Sequence, residues 1–223
     1  MTVKLFISAT LKFSLGAVLV GLLIFLPAGT FAYFNGWLFM GILFVPMFLA
    51  GLVMMAKNPK LLESRLDAKE KETEQSLVVK LSGLMFLAGF IVAGLGVRFG
   101  WYMLPKPVVI ASAVVFLIAY ILYAEVLKEN TYLSRTIEVQ EGQKVIDTGL
   151  YGIVRHPMYS VTLLLFLSMP LVLGSIYSFV IFLVYPFIIA KRIKHEEKFL
   201  EKELNGYTEY KKKVKYRLIP FIW

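Results

Sequence analysis

"VTLLLFLSMPLVLGSIYSFVIFLVYPFIIA", Val161–Ala190, runs for thirty residues without a charged side chain. About 20 apolar residues suffice to cross a bilayer as a helix. Thirty is too long for one crossing and short for two full ones. Pro170 and the Gly174-Ser175 pair interrupt the run near its middle, where proline lacks an amide hydrogen and glycine loosens the backbone. The stretch therefore predicts a tightly turned helical hairpin. Irregular backbone at membrane depth is tolerated only where protein or a wet cavity covers it.

Outward from the hairpin the chain is polar on both sides. Lys128–Ser160 before it is long and polar, with short alternating apolar residues at Ile137/Val139 and Val145/Ile146 that suit brief extended pieces. Lys191–Trp223 after it is charged and helical in pattern to about Lys213. "RLIPFIW" then closes the chain as an apolar plug expected to pack on the membrane face.

Upstream, four more runs are long enough to span: about Leu11–Tyr33, Trp37–Ala56, Leu77–Val97 and Val108–Leu127. Lys4, Lys12 and the run Phe13–Leu26 have some character of a secretory signal. Because five further apolar segments follow, the first run is read as a transmembrane helix. Trp37 and Tyr33 suit a membrane interface. The mixed charges of Lys57–Ser76 read as a solvated loop or surface helix, and its acidic residues Glu63, Asp67, Glu70, Glu72 and Glu74 are assigned no role. The expected fold is an all-α integral membrane protein with five to six transmembrane helices, the last apolar segment being the hairpin. Residues 1–127 form a four-helix membrane region, and residues 128–223 form a region built from a loop, the hairpin and a C-terminal helix.

The whole composition agrees. Of 223 residues, 58% are hydrophobic, against about half in soluble domains, and the mean hydropathy is +0.72. The net charge of +9 would suggest anionic partners in a soluble protein. Here the basic residues flank apolar runs, so the lipid bilayer is the expected partner and nucleic acid is not. The absence of cysteine excludes disulfides, thiolate metal sites and a cysteine nucleophile. Two histidines are too few for an all-histidine metal site, and no metal is expected. The long loops and the tail are rich in lysine and arginine, whereas the opposite turns hold only Arg98 and Lys106. The loops, the tail and the N-terminus are then expected on the cytoplasmic side. "GLGVRFG", Gly94–Gly100, resembles a nucleotide-binding glycine loop but lacks the flanking strand and helix. Small residues for helix packing are the better reading.

At the border of the hairpin stands "GLYGIVRHPMYS", Gly149–Ser160. Arg155 and His156 precede Pro157, a residue that starts helices. Where the hairpin returns, Arg192 and Glu196 lie four apart on one side of a helix, and Glu197 points about 100° away. Surface ion pairs would account for each group alone. Together they make a small polar pocket beside lipid, where charged groups are functional candidates. A guanidinium and an imidazole facing a carboxylate and a second guanidinium suit a zwitterion. Tyr151 and Tyr159 add rings that stack on a base or a cation. S-adenosyl-L-methionine matches this inventory, as do other ligands.

"GLYGIVRHPMY", a hairpin, and then "RIKHEEKFLEKELNGYTEYKKKVKYRLIP" in that order resemble the isoprenylcysteine carboxyl methyltransferase family and its bacterial-type relatives, which are related to phospholipid methyltransferases. The resemblance covers roughly Asn130–Trp223. It implies an S-adenosyl-L-methionine site lined by Tyr151, His156, Pro157, Met158 and Tyr159, with Arg155 and Glu197 beside them. It further implies backbone contacts from Gln143, Lys144, Val145 and Ile146, a cofactor-binding Glu196, and an Arg192 that faces an apolar or prenylated methyl acceptor. The family often carries glycine where this chain has Val161, a departure that bears on substrate access. A carboxylate acceptor needs no base, whereas an amine needs one, for which Glu197 and His195 are the candidates. The rival readings are a reductase of the sterol or steroid type, which resembles this chain in an Arg-His-Pro-x-Tyr element and uses a reduced nicotinamide cofactor, and a non-catalytic membrane protein.

Overall fold

The computed structural model describes residues 3–66, 73–133 and 138–223. Its helices are α1 (Val3–Ala28), α2 (Phe34–Lys57), α3 (Pro59–Leu66), α4 (Thr73–Arg98), α5 (Lys106–Glu129), α6 (Pro157–Val172), α7 (Ile176–Phe182), α8 (Tyr185–Glu203) and α9 (Tyr207–Lys213). Among the described residues, Val3–Ala28, Phe34–Lys57, Leu77–Arg98, Lys106–Glu129 and Ile176–Glu203 are long and apolar enough to cross a membrane. The protein is an all-α, multi-span membrane protein. Leu15, Leu22, Val45 and Ile121 stand exposed on the outside of the bundle, as side chains facing acyl chains do.

The first helix begins earlier than the apolar run suggests. Its 26 residues span about 39 Å, more than the roughly 30 Å of hydrocarbon. The N-terminal turns therefore emerge, and Lys12 Nζ donates to the Leu66 carbonyl of α3 at 2.7 Å. The charged segment 57–76 thus holds a surface helix. Asp67, Glu70 and Glu72 lie outside the described residues.

Close helix approach rests on glycine. A Cβ at Gly94 would lie 2.5 Å from the Ile24 carbonyl oxygen of α1, and one at Gly89 would lie 2.3 Å from the Phe182 ring of α7. Ser178 Oγ donates to the Gly89 carbonyl at 2.8 Å. "GLGVRFG" therefore serves helix packing. Phe39, Phe116, Phe182 and Ile24 are fully buried between these helices.

The hairpin forms as expected and is tied down at its turn. α6 has 16 residues, about 24 Å, less than a full crossing. Gly174 closes the turn at φ +75°, and a Cβ there would meet Asn35 Nδ2 at 2.6 Å. Leu104 donates its amide to the Gly174 carbonyl at 2.8 Å, and Tyr33 donates its hydroxyl to the Leu173 carbonyl. Ser175 caps α7 by accepting from the Ser178 amide. The turn's backbone groups are thus satisfied by protein, as the bilayer demands.

Two expectations change. Lys128–Ser160 takes in the end of α5 and the start of α6, and the described part between them, 130–156, forms turns, irregular backbone and a short 3-10 helix, Gly149–Gly152, with no strand; Ile137 lies outside the described residues. The tail is not one helix: it breaks at 204–206, where Gly206 takes φ +85°, and restarts as α9. The break turns the tyrosines of α9 back toward the loop before the hairpin.

Candidate active site

Pro157 starts α6, and the two residues before it are held by the C-terminal segment. Arg155 and His156 donate their amides to the Tyr216 and Arg217 carbonyls, each at 2.9 Å. The Arg155 guanidinium donates to the Val214 carbonyl at 2.7 Å and the Lys215 carbonyl at 2.8 Å, and through Nε to Glu197 Oε1 at 2.7 Å. His156 Nε2 lies 3.3 Å from the same oxygen, and Arg217 Nε donates to Glu197 Oε2 at 2.9 Å. Ser160 Oγ adds a bond to the Leu218 carbonyl at 2.6 Å. Glu197 is thus a buried hub, 2% exposed, that joins the start of α6, the middle of α8 and the C-terminal segment. In the segment expected as a plug, Leu218 is buried, whereas Phe221 and Ile222 stand out.

One residue earlier on α8 the arrangement differs. Tyr159 donates its hydroxyl to Glu196 Oε2 at 2.6 Å, and Arg192 Nε donates to the Tyr159 oxygen at 2.8 Å. His156 stacks on Tyr159 with ring centroids 5.7 Å apart, and its Nδ1 lies 3.9 Å from Glu196 Oε1. The Glu196 side chain is 22% exposed, against 3% for Glu197. A chain Arg192–Tyr159–Glu196 thus presents a carboxylate that is oriented by protein and still open to a ligand.

The opposite half of the site is apolar. Leu204, Tyr207, Tyr210 and Val214 are buried together, with Val139, Val145 and Leu200 packed against them. Tyr210 donates its hydroxyl to the Tyr151 carbonyl at 2.8 Å, and Asn130 Nδ2 donates to the Tyr151 hydroxyl at 3.1 Å. Burial pushes the Tyr207 and Tyr210 phenols above their ordinary range, so both stay protonated. Lys213 pairs with Asp147 at 2.6 Å and joins α9 to the loop. This pair holds the Asp147 carboxyl below its usual value.

Between the two halves lies a cavity of ≈ 820 Å³, counted with the open solvent at its mouth. Gln143, Lys144, Val145, Ile146, Tyr151, Arg155, His156, Met158, Tyr159, Arg192 and Glu196 line it. Pro157 is buried at the helix start and Glu197 stands behind the wall; neither lines the cavity, and neither does His195. Sequence reasoning did not anticipate Asn130, Glu138, Leu200, Leu204, Tyr207 and Tyr210, which line it as well. The signal available was "NGYTEY", Asn205–Tyr210, a turn dipeptide followed by two tyrosines one helical turn apart.

Over 91 residues, 40% of this chain, the sequence is 31% identical to the mouse (Mus musculus) Delta(14)-sterol reductase TM7SF2. The chain spans about a fifth of that relative's length, the match covering 22% of it. Residues 107–205, which supply all the lining residues of the cavity named above except Tyr207 and Tyr210, match the sequence profile of the phospholipid methyltransferase family.

Proposed function

We propose that this chain is an integral membrane methyltransferase that uses S-adenosyl-L-methionine and methylates an apolar or membrane-embedded acceptor, a carboxylate as in isoprenylcysteine carboxyl methylation. The observation that carries this reading is the Glu196 carboxylate, oriented by Tyr159 at 2.6 Å and exposed to the cavity. A carboxylate so placed selects a cationic group, because its charge is only partly compensated by protein. The ammonium and sulfonium of the cofactor meet that demand, and the apolar half lined by Val145, Leu200, Leu204 and Tyr207 suits the flat faces of its adenine. When bound, the cofactor supplies an activated methyl group for in-line displacement. The chain's own residues hold the partners and keep water out. In this reading Glu196, His156, Met158, Tyr159, Tyr151 and the 143–146 stretch hold the cofactor, and Arg192 orients the acceptor. The match of 107–205 to the phospholipid methyltransferase family supports the same reaction class.

In this reading the cavity faces the cytoplasm, which the lysine- and arginine-rich loops support through the positive-inside rule. The cofactor then enters from water and the acceptor sideways from the bilayer.

The mouse sterol reductase relative favours a second reading, reduction with a nicotinamide cofactor. Against it stands the same Glu196, which would repel a polyanion, and Arg155, whose guanidinium is engaged by Glu197 and two carbonyls. Calorimetric titration of the detergent-purified chain decides between them. Saturable binding of S-adenosylhomocysteine, weakened in Glu196→Gln, supports the methyltransferase. Binding of NADPH in its place overturns it.

A further inference from the structure

Tyr207 belongs to α9, just outside the 107–205 stretch that matches the methyltransferase family. The residue is 4% exposed and lines the cavity. Its hydroxyl is closed off from solvent and has no hydrogen-bond partner among the described residues. The neighbouring Tyr210 makes the contrast: equally buried, it donates to the Tyr151 carbonyl at 2.8 Å. A buried hydroxyl without a partner weakens the fold, and such groups are rare in native proteins. A phenylalanine would fill the same space without that cost. Burial holds this phenol protonated, so it stands ready as a donor.

We infer that Tyr207 is a ligand-binding residue whose hydroxyl donates to an acceptor atom of the nucleoside half of the cofactor. The inference rests on the methyltransferase reading and extends it to a residue on the last helix. The placement points to the nucleoside. The ammonium end of the cavity is served by Glu196, Tyr159 and Arg192, whereas the Tyr207 ring packs in the apolar cluster with Leu204, Tyr210, Val145 and Leu200 and its hydroxyl feels the charges of Glu197, Glu196 and Arg155. A purine nucleoside has apolar faces for those side chains and ring nitrogens or ribose oxygens for one donor. α9 would then close the site, and the Gly206 turn would set its position.

The test uses the full chain in detergent, with S-adenosylhomocysteine and with 5′-methylthioadenosine, which keeps the nucleoside and lacks the amino acid. Tyr207→Phe is expected to weaken both ligands by roughly 3- to 30-fold, the effect of one lost hydrogen bond in a dry site. The melting temperature of the ligand-free protein should be equal or higher. Tyr210→Phe should instead lower that melting temperature, since it removes a satisfied bond. Unchanged binding in Tyr207→Phe, or a ligand-free melting temperature that falls as in Tyr210→Phe, overturns the inference. A loss seen with S-adenosylhomocysteine alone overturns the assignment to the nucleoside. Wild-type protein that binds neither ligand overturns the methyltransferase reading itself, an outcome separate from any effect of the variant.

Discussion

Arg155 and Glu197 form a buried ion pair, Nε to Oε1 at 2.7 Å, with side chains 4% and 3% exposed. The pair fastens the start of α6 to α8, and Arg217 completes it from the C-terminal segment at 2.9 Å. It is the frame behind the cavity. Glu196, the next residue, turns its carboxylate into the cavity.

Removing the hub should damage folding before it damages chemistry. Glu197→Ala leaves the Arg155 guanidinium buried without its counter-charge, which costs about 3–5 kcal/mol in comparable sites. The expected result is a large drop in melting temperature of the detergent-solubilised protein. A variant as stable as the wild type would show that the pair contributes nothing to the frame.

Glu196→Gln should behave in the opposite way. Its side chain is partly exposed and accepts a hydrogen bond from Tyr159, so stability should change by less than about 1 kcal/mol. S-adenosylhomocysteine affinity should fall by roughly 10- to 100-fold, as for a lost charge-assisted bond. Titration calorimetry on the two variants side by side tests the separation of roles between adjacent glutamates.

Arg192→Ala should spare cofactor binding and suppress transfer. Its guanidinium reaches the Tyr159 hydroxyl, which in turn donates to Glu196. Loss of acceptor orientation should lower turnover of a prenylated cysteine by about 100-fold, with S-adenosylhomocysteine affinity within a few-fold of wild type. Parallel loss of both would place Arg192 in the cofactor site.

Gly94→Ala and Gly89→Ala should each destabilise the bundle by about 1–3 kcal/mol, because the added methyl meets the Ile24 carbonyl or the Phe182 ring. Gly94 should be the worse of the two, since backbone yields less than a side chain. Gly51→Ala and Gly83→Ala, where a Cβ meets nothing within 4 Å, should be neutral or slightly stabilising through helix propensity. Melting temperatures of the four variants check the ranking.

The helices and the border motif were legible in the sequence because they rest on local physics. A run of apolar side chains crosses the bilayer at a length set by hydrocarbon thickness and helical rise, so the long spans could be located from residues alone. Pro170 and Gly174-Ser175 marked the hairpin turn by their backbone limits. Arg192 and Glu196, four apart, had to share a helix face. Their shared wall with His156 and Tyr159 follows from the hairpin's return.

Other features were decided only by tertiary packing. Helical periodicity shows that Glu196 and Glu197 face different ways but not which one meets the cavity. The answer depends on where the C-terminal segment lays Arg217 and its carbonyls, and that segment consumes Glu197 and Arg155 together. The break at Gly206 carries α9 back over the loop and adds Tyr207 and Tyr210 to the wall, contacts between residues about 60 apart in the chain, such as Tyr210 with Tyr151. Sequence pattern reports the face a residue occupies on its own helix. The group that fills the space opposite is chosen by the packing of the whole chain.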